Sequence, residues 1–586
     1  MKLTAYERMP LDQSWRARAH QVIDTHEQLS RLNPAFVRTL SRSLGVMALS
    51  GRVCPVLFED GRAGVFVVAE YCQDDQTQAV LKLLEQKGFR LVEPSIFVLA
   101  SALLIAIDRT DHVERQGASY AVQSDTPAQR SSLGELFKEM ITWAVRHAAS
   151  DVHLNVDKFK QDSSVYFTIG GRYLCPERYR YIPTATMLEM LSVAWMGVQG
   201  GNGAVFDPMI EQQGRLNLNL VESSGVTRSI ALRWASLATD SGPSVCLRLL
   251  ASQQLELTPD LRTLGYLDCQ INALHRARSL QGGAVILAGV VGSGKSTTIA
   301  TLMRDIPADR KVITIEDPVE YPIPNALQNT ISRTLDDRDG NSFDIKLKTI
   351  KRSAMNDLLI GEIRDSAGGR ALMDLAGCGV NLYTTVHAGS VLLIPDRLAS
   401  SFIGVARDLL ATPGILKLLV YQMLLPRLCS MCSIDYSGLK SHQQLRDFEG
   451  FTRDADWLDR WLDAIESLTQ TDRQVLRFRS PSGCNTCQSR SLLALPGTIG
   501  RTVVAEMIEP QREMEFLDGV KKHNGLGLLR WFNTRQCTAL SHPLMTGKSV
   551  HQAAIYKMLI GQIDPRELEI RFGSFLNSGQ GCGASV

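Results

Sequence analysis

Short apolar runs broken by turn residues open the chain, as in Cys54-Pro55-Val56-Leu57-Phe58 and Ala63-Gly64-Val65-Phe66-Val67-Val68. They predict a small α/β domain over residues 1–110. The longest uncharged run, Ile96 to Ile107, lies between Glu93-Pro94 and Asp108-Arg109. It reads as a buried strand or helix, because a bilayer-spanning helix needs about 20 apolar residues. Residues 111–131 are rich in Ser, Gln, Asp, Arg and Gly and read as a linker. Ser132-Leu133-Gly134-Glu135 then has the form of a capping box ahead of Leu133, Leu136, Phe137, Met140, Ile141 and Ala144 at helical spacing, which predicts a helix starting at Ser132. Alternation in Val152–Val156 and Leu216–Leu220, with the run Ser244–Leu250, predicts a sheet, so that residues 132–255 form a second domain.

From Gly282 the period changes. Continuous apolar runs at Ala284–Ala288, Val312–Ile315, Leu358–Ile360 and Leu382–Val386 alternate with helical stretches, the pattern of a parallel sheet covered on both faces. This places an α/β core over residues 256–425, a cysteine-bearing insertion over 426–500 and a mainly helical region over 501–586.

Composition narrows the class only slightly. The 586 residues suggest three to four domains at about 150 each. With 44% hydrophobic and 21% charged residues, the chain is an ordinary globular one. The balance of 63 Lys+Arg against 61 Asp+Glu disfavours bulk coating of nucleic acid. Met1-Lys2-Leu3-Thr4-Ala5-Tyr6-Glu7-Arg8 has no apolar signal core, so a cytoplasmic protein with reduced thiols is expected despite twelve cysteines.

The chemistry is concentrated after Ala288. Gly289-Val290-Val291-Gly292-Ser293-Gly294-Lys295-Ser296 matches GxxxxGK[ST] directly behind a strand and ahead of a helix. Backbone N–H groups of such a loop, here Gly289, Gly292, Ser293, Gly294 and the following Thr297, cradle phosphates at a helix N-terminus. Lys295 would neutralise phosphate oxygens of ATP, and the Ser296 hydroxyl is the expected Mg²⁺ ligand. Three further strands deliver Glu316-Asp317-Pro318-Val319-Glu320, Gly361-Glu362-Ile363-Arg364-Asp365 and Thr384-Thr385-Val386-His387 to the carboxyl edge of the sheet, where open α/β folds bind ligands. Glu362 occupies the Walker B position, where many P-loop proteins carry Asp. Two CxxC pairs, Cys429/Cys432 and Cys484/Cys487, flank residues 433–483. Two such knuckles suit a tetrahedral zinc site, whereas a redox CxxC needs only one pair. Cys54, Cys72, Cys175, Cys246, Cys269, Cys378, Cys537 and Cys582 have no ligand spacing and read as incidental thiols.

Together, ITIEDPVEY (313–321), LLIGEIRD (358–365) and TTVH (384–387) behind GVVGSGKST resemble the boxes of the type II secretion and type IV pilus assembly ATPases. Ala149-Ser150-Asp151-Val152-His153, Gln213-Gly214-Arg215 and Gly500–Glu506 resemble further signatures of that family. The resemblance implies a RecA-like P-loop domain preceded by a smaller α+β, PAS-like domain, with a tetracysteine zinc lobe and an N-terminal α/β accessory domain. It further implies a hexamer that hydrolyses ATP and drives an inner-membrane platform protein, and possible contact with a membrane adaptor. Membrane association would then be peripheral, through partners. Glu316, Glu362 and His387 would be catalytic, and Arg215, Arg233 and Arg352 would reach a triphosphate across a subunit boundary. Lys348 stands where relatives usually carry Arg, and Ala354-Met355-Asn356 where they usually carry Asp-Pro-Asp. A DNA translocase of the same P-loop class would show a basic, aromatic channel loop, which is not located in the sequence. A scaffold that binds ATP without hydrolysing it would have no use for the acidic boxes.

Overall fold

The computed structural model describes residues 21–107 with short gaps, and 127–577 apart from 222–226, 251–258, 332–340, 442–444, 489–494 and a few single positions. Two units divide at Ser252.

The first unit contains two sheets. One comprises β1 (Gln21–Ile23), β2 (Phe36–Thr39), β3 (Val53–Phe58), β4 (Ala63–Val68) and β5 (Leu91–Leu99), in the order β1-β5-β4-β3-β2. The helix Asp75–Gln86, capped by the Asp74 carboxylate on Gln76 N–H, carries the chain from β4 to the parallel strand β5. The Ile96–Ile107 run divides. Ile96–Leu99 completes β5, and Leu103, Leu104 and Ile107 pack in helical conformation beside Phe58, Phe66 and Phe97.

The second sheet contains β6 (Ala149–Asn155), β7 (Asp162–Ile169), β8 (Arg172–Leu174), β9 (Ile182–Pro183), β10 (Val198–Gln199), β11 (Gln213–Val221), β12 (Thr227–Leu237) and β13 (Ser244–Leu249). Its antiparallel order is β10-β11-β12-β13-β6-β7-β8. Val152, Leu154, Phe167, Leu232, Trp234 and Leu247 are buried, as alternation requires of one face. The helix ahead of β6 runs from Pro127 to Arg146 rather than starting at Ser132. Pro127 fits a first helical turn, where its missing N–H costs nothing and its fixed φ is already helical. Ser132 is therefore interior to the helix, and residues 127–131 leave the expected linker. The rest of that linker lies outside the described residues.

The second unit is built on β14 (Ala284–Ala288), β15 (Val312–Glu316), β16 (Ala326–Thr330), β17 (Asp357–Ile360), β18 (Asn381–Val386), β19 (Leu416–Leu428) and β20 (Thr498–Ile508), in the order β16-β15-β17-β18-β14-β19-β20. All pairs are parallel except β19 with β20. The uninterrupted apolar runs have a direct cause. Ala284, Ile286 and Ala288 enter one core, while Val285 and Leu287 enter another on the opposite face.

Residues 429–497 are inserted between β19 and β20, and the break expected at 500 falls inside β20. This insertion shares a hydrophobic core with the rest of the second unit. Leu458, Trp461, Leu462 and Phe478 pack with Leu425, Ile555, Met558 and Leu568, and Trp461 Nε1 donates to Glu569 Oε1 at 2.8 Å.

Behind the helix Asn341–Lys351, Ala354 holds φ 49°. Asn356 closes the loop, its side-chain oxygen accepting from Lys311 N–H at 2.8 Å. A Cβ in the left-handed region costs about 1 kcal/mol, which glycine avoids. Ala354→Gly is expected to stabilise the protein by about that amount, read as a higher midpoint of urea unfolding.

Candidate functional site

Register brings the boxes to one edge. Ile315 pairs with Ile360, Ile360 with Thr384, and Val386 with Ala288, so Glu316, Glu362, His387 and Gly289 follow the carboxyl ends of adjacent strands. Ile363 N–H donates to Thr385 O at 3.0 Å, and Thr385 Oγ1 to Gly361 O at 2.7 Å. The Asp317 carboxylate pairs with the Arg364 guanidinium, joining the first acidic box to the second.

The glycine loop turns because its glycines take φ 153° (Gly289), 76° (Gly292) and 84° (Gly294). A Cβ on Gly289 would come within 2.4 Å of the Gln422 carbonyl oxygen. Lys295 opens the helix Lys295–Arg304 and is buried, with Nζ donating to Gly289 O at 2.8 Å and Val290 O at 3.1 Å. Burial holds its pKa below the ordinary lysine range, against the pull of Glu362 and Glu320. Ser296 is exposed on the first helical turn, and Thr297 Oγ1 donates to the Tyr321 hydroxyl at 3.0 Å.

His387 Nε2 lies 3.3 Å from Glu362 Oε1. Burial, and then the nearby Lys295 charge, lower the histidine's pKa, which keeps the imidazole neutral near pH 7. Burial raises the Glu316 carboxyl, although it accepts from Gln328 Nε2 at 3.1 Å.

Arg215 and Arg233 lie in the first unit and face each other across β11 and β12. The Arg215 Nε is buried without a hydrogen-bond partner among the described residues, and Arg233 is exposed. Arg248 continues the row on β13, paired with Asp151 at 2.9 Å. His153, on the next position of that face, has Nε2 at 2.8 Å from Thr168 Oγ1. In the second unit, Lys348 is an exposed residue of the helix Asn341–Lys351, and Arg352 is exposed just beyond it.

Two functional-site residues, Gln422 and Tyr266, are not evident from motifs. Gln422, a buried polar position inside the apolar β19, and Tyr266 both contact the glycine-loop region. Glu506 is buried and accepts from Val391 N–H and Val550 N–H, both at 2.8 Å, so it ties the loop after His387 to a C-terminal helix. The signal for Gln422 was its interruption of an apolar run.

The Sγ atoms of Cys429, Cys432, Cys484 and Cys487 all lie within 4.8 Å of one another. The Cys429–Cys484 and Cys432–Cys487 separations are each 3.8 Å. Tetrahedral thiolates about 2.3 Å from a zinc ion stand about 3.8 Å apart, so the four residues fit such a metal. The Cys484 thiol is drawn down to about 6, chiefly by the backbone hydrogen bond at Cys487, whereas burial and the neighbouring thiols push the Cys432 thiol up.

A parallel sheet that gathers a glycine loop, two acidic boxes and a histidine at its carboxyl edge defines a RecA-like P-loop protein. The family model described as "Type II/IV secretion system protein" matches residues 127–526, and the chain belongs to that family. It is 30% identical over 305 residues to type II secretion system protein E of Dickeya dadantii, covering 51% of this chain and 56% of that one. To the type IV pilus assembly ATPase PilB of Thermus thermophilus it is 27% identical over 322 residues, covering 55% and 34%. The chain spans about half the length of the type II secretion relatives it matches. Among solved structures, the Legionella pneumophila ATPase DotB aligns with a TM-score of 0.46 at 16% identity, covering 75% of this chain and 95% of that one. No helix among the described residues is long and apolar enough to cross a membrane.

Proposed function

We propose that the protein is a Mg²⁺-dependent ATPase, active as a hexameric ring, that powers assembly of a type IV pilus or a type II secretion pseudopilus by turning its two units against an inner-membrane platform protein. The observation that carries this reading is the convergence of Lys295, Glu362, His387 and Glu316 on one sheet edge. Lys295 binds the phosphates, and Ser296 offers its hydroxyl to the metal, which supplies charge stabilisation when bound. Glu316, raised by burial, suits a base that takes a proton from the attacking water. Glu362 orients His387 toward the γ-phosphate. Arg215, Arg233 and Arg352 supply positive charge from a neighbouring subunit. Residues 1–110 serve as the docking domain, 132–255 and 256–425 as the halves of the motor, and 429–497 as a lobe held by zinc.

Steady-state hydrolysis with and without DNA tests the motor. The expected result is Mg²⁺-dependent turnover that DNA leaves unchanged and that falls on dilution as rings come apart. Stimulation by DNA would support a translocase instead, and binding without turnover would support a scaffold. A second measurement addresses the lobe. Elemental analysis should find one zinc per chain, and chelation should free four thiols and speed proteolysis within 429–497 while the rest of the second unit stays resistant. Zinc-free protein with freely reactive thiols would refute the metal assignment.

A further inference from the structure

The floor beneath the glycine loop is a polar chain inside an otherwise apolar interior. Gln422 on β19 is 0% exposed and Tyr266 is 2% exposed. Both ends of the Gln422 amide are used. Its Nε2 donates to the carbonyl of Ser293 at 2.7 Å, and its Oε1 accepts from the Tyr266 hydroxyl. That hydroxyl also lies 3.3 Å from Thr298 Oγ1, on the helix that follows the loop. One turn further on, the Thr301 hydroxyl, which lies 2.8 Å from Thr297 O, also approaches Pro259 O at 3.2 Å. The first described residues of the second unit, 259–266, are thereby fastened to the glycine loop and its helix.

The direction of the Gln422 amide matters. A backbone carbonyl can only accept, so Ser293 requires the NH₂ end, and the Tyr266 hydroxyl holds the oxygen end away from it. In a planar trans peptide the C=O and the next N–H point in opposite directions. Drawing the Ser293 carbonyl down to Gln422 therefore turns the Gly294 N–H away from the floor. An N–H so turned would face the hollow of the loop at the N-terminus of Lys295–Arg304, where an anion is stabilised. Gly294 can hold this peptide because it lacks a Cβ at φ 84°.

We propose that Gln422 is a positioning residue that fixes the Ser293–Gly294 peptide in its phosphate-binding orientation, and that Tyr266 sets the direction of the Gln422 amide. The proposal rests on the reading of the loop as a nucleotide site, and it places the machinery for phosphate affinity partly in the segment that begins the second unit.

The test uses the full chain and a fluorescent ADP analogue, so that binding is read without turnover. Gln422→Met keeps the side-chain length and removes the donor, and should weaken ADP binding about tenfold, the worth of one buried hydrogen bond. Gln422→Glu sets a carboxylate against the Ser293 carbonyl and should weaken it further. Tyr266→Phe removes the bond that orients the amide together with the contact to Thr298 Oγ1, and should give a smaller loss that does not add to that of Gln422→Met. A packing role for Gln422 would leave Gln422→Met with the parent affinity, and that result overturns the proposal. If either Gln422 variant fails to fold, Tyr266→Phe decides, since parent affinity in that variant also overturns it. Lys295→Ala separates the two readings. If it loses ADP while Gln422→Met does not, the positioning role alone fails. If Lys295→Ala retains ADP at parent affinity, the nucleotide site itself is wrong.

Discussion

Lys295→Ala is expected to lower ATP turnover by at least about 10²–10³-fold, the cost of removing one preorganised group that stabilises transition-state charge. The geometry makes this a functional rather than a structural loss. The ammonium is buried and donates to Gly289 O and Val290 O of its own loop, and burial already disfavours its charge. Alanine removes two hydrogen bonds together with a desolvated cation, so the two effects on folding oppose each other. The thermal unfolding midpoint should therefore move little while turnover collapses. Steady-state hydrolysis and a thermal melt on the same preparation check both statements. Parent-level turnover would remove the glycine loop from the mechanism.

Arg215→Ala should cost about 10³ to 10⁵ in turnover, the range of an arginine that stabilises phosphoryl transfer, with nucleotide binding changed much less. Arg215 and Arg233 are directly opposed on β11 and β12, and Arg248 lies beside them on β13. Like charges facing across strands destabilise a sheet. Asp151 compensates Arg248, and among the described residues the Arg215 Nε has no hydrogen-bond partner. A half-buried guanidinium kept under those conditions fits a site meant to meet an anion. Mixing Arg215→Ala with Lys295→Ala gives the sharper measurement. A mixed ring can hold a site with an intact glycine loop and an intact arginine from the other variant, so activity should return. Mixed rings shown to form yet remaining as inactive as their parts would place the arginine's action within one subunit.

Much of the second unit was legible in the sequence because local signals and global fold agree there. Continuous apolar runs specified strands buried on both faces, since residues such as Val285 and Ile286 each face a core. The glycine loop specified its own turn through backbone conformations that side chains disfavour. The two CxxC pairs likewise announced a four-thiol cluster whatever the fold of the segment between them. Helix and domain limits were less legible. Pro127 begins a helix that the pattern placed at Ser132, and β20 continues the sheet beyond the expected break at 500. The helix start follows the local preference of Pro127 for a first helical turn, while β20 is extended by its pairing with β19.

What only the tertiary structure decided is which distant residues share a boundary. Strand register set Arg215 against Arg233 and placed His387 beside Glu362, pairs that no spacing along the chain specifies. It also placed Tyr266, Gln422 and Ser293 in one buried chain of hydrogen bonds. Single polar residues inside apolar runs carry no periodic signal. Their partners are chosen by the requirement that buried donors and acceptors be satisfied, and that requirement acts only once the sheet has closed.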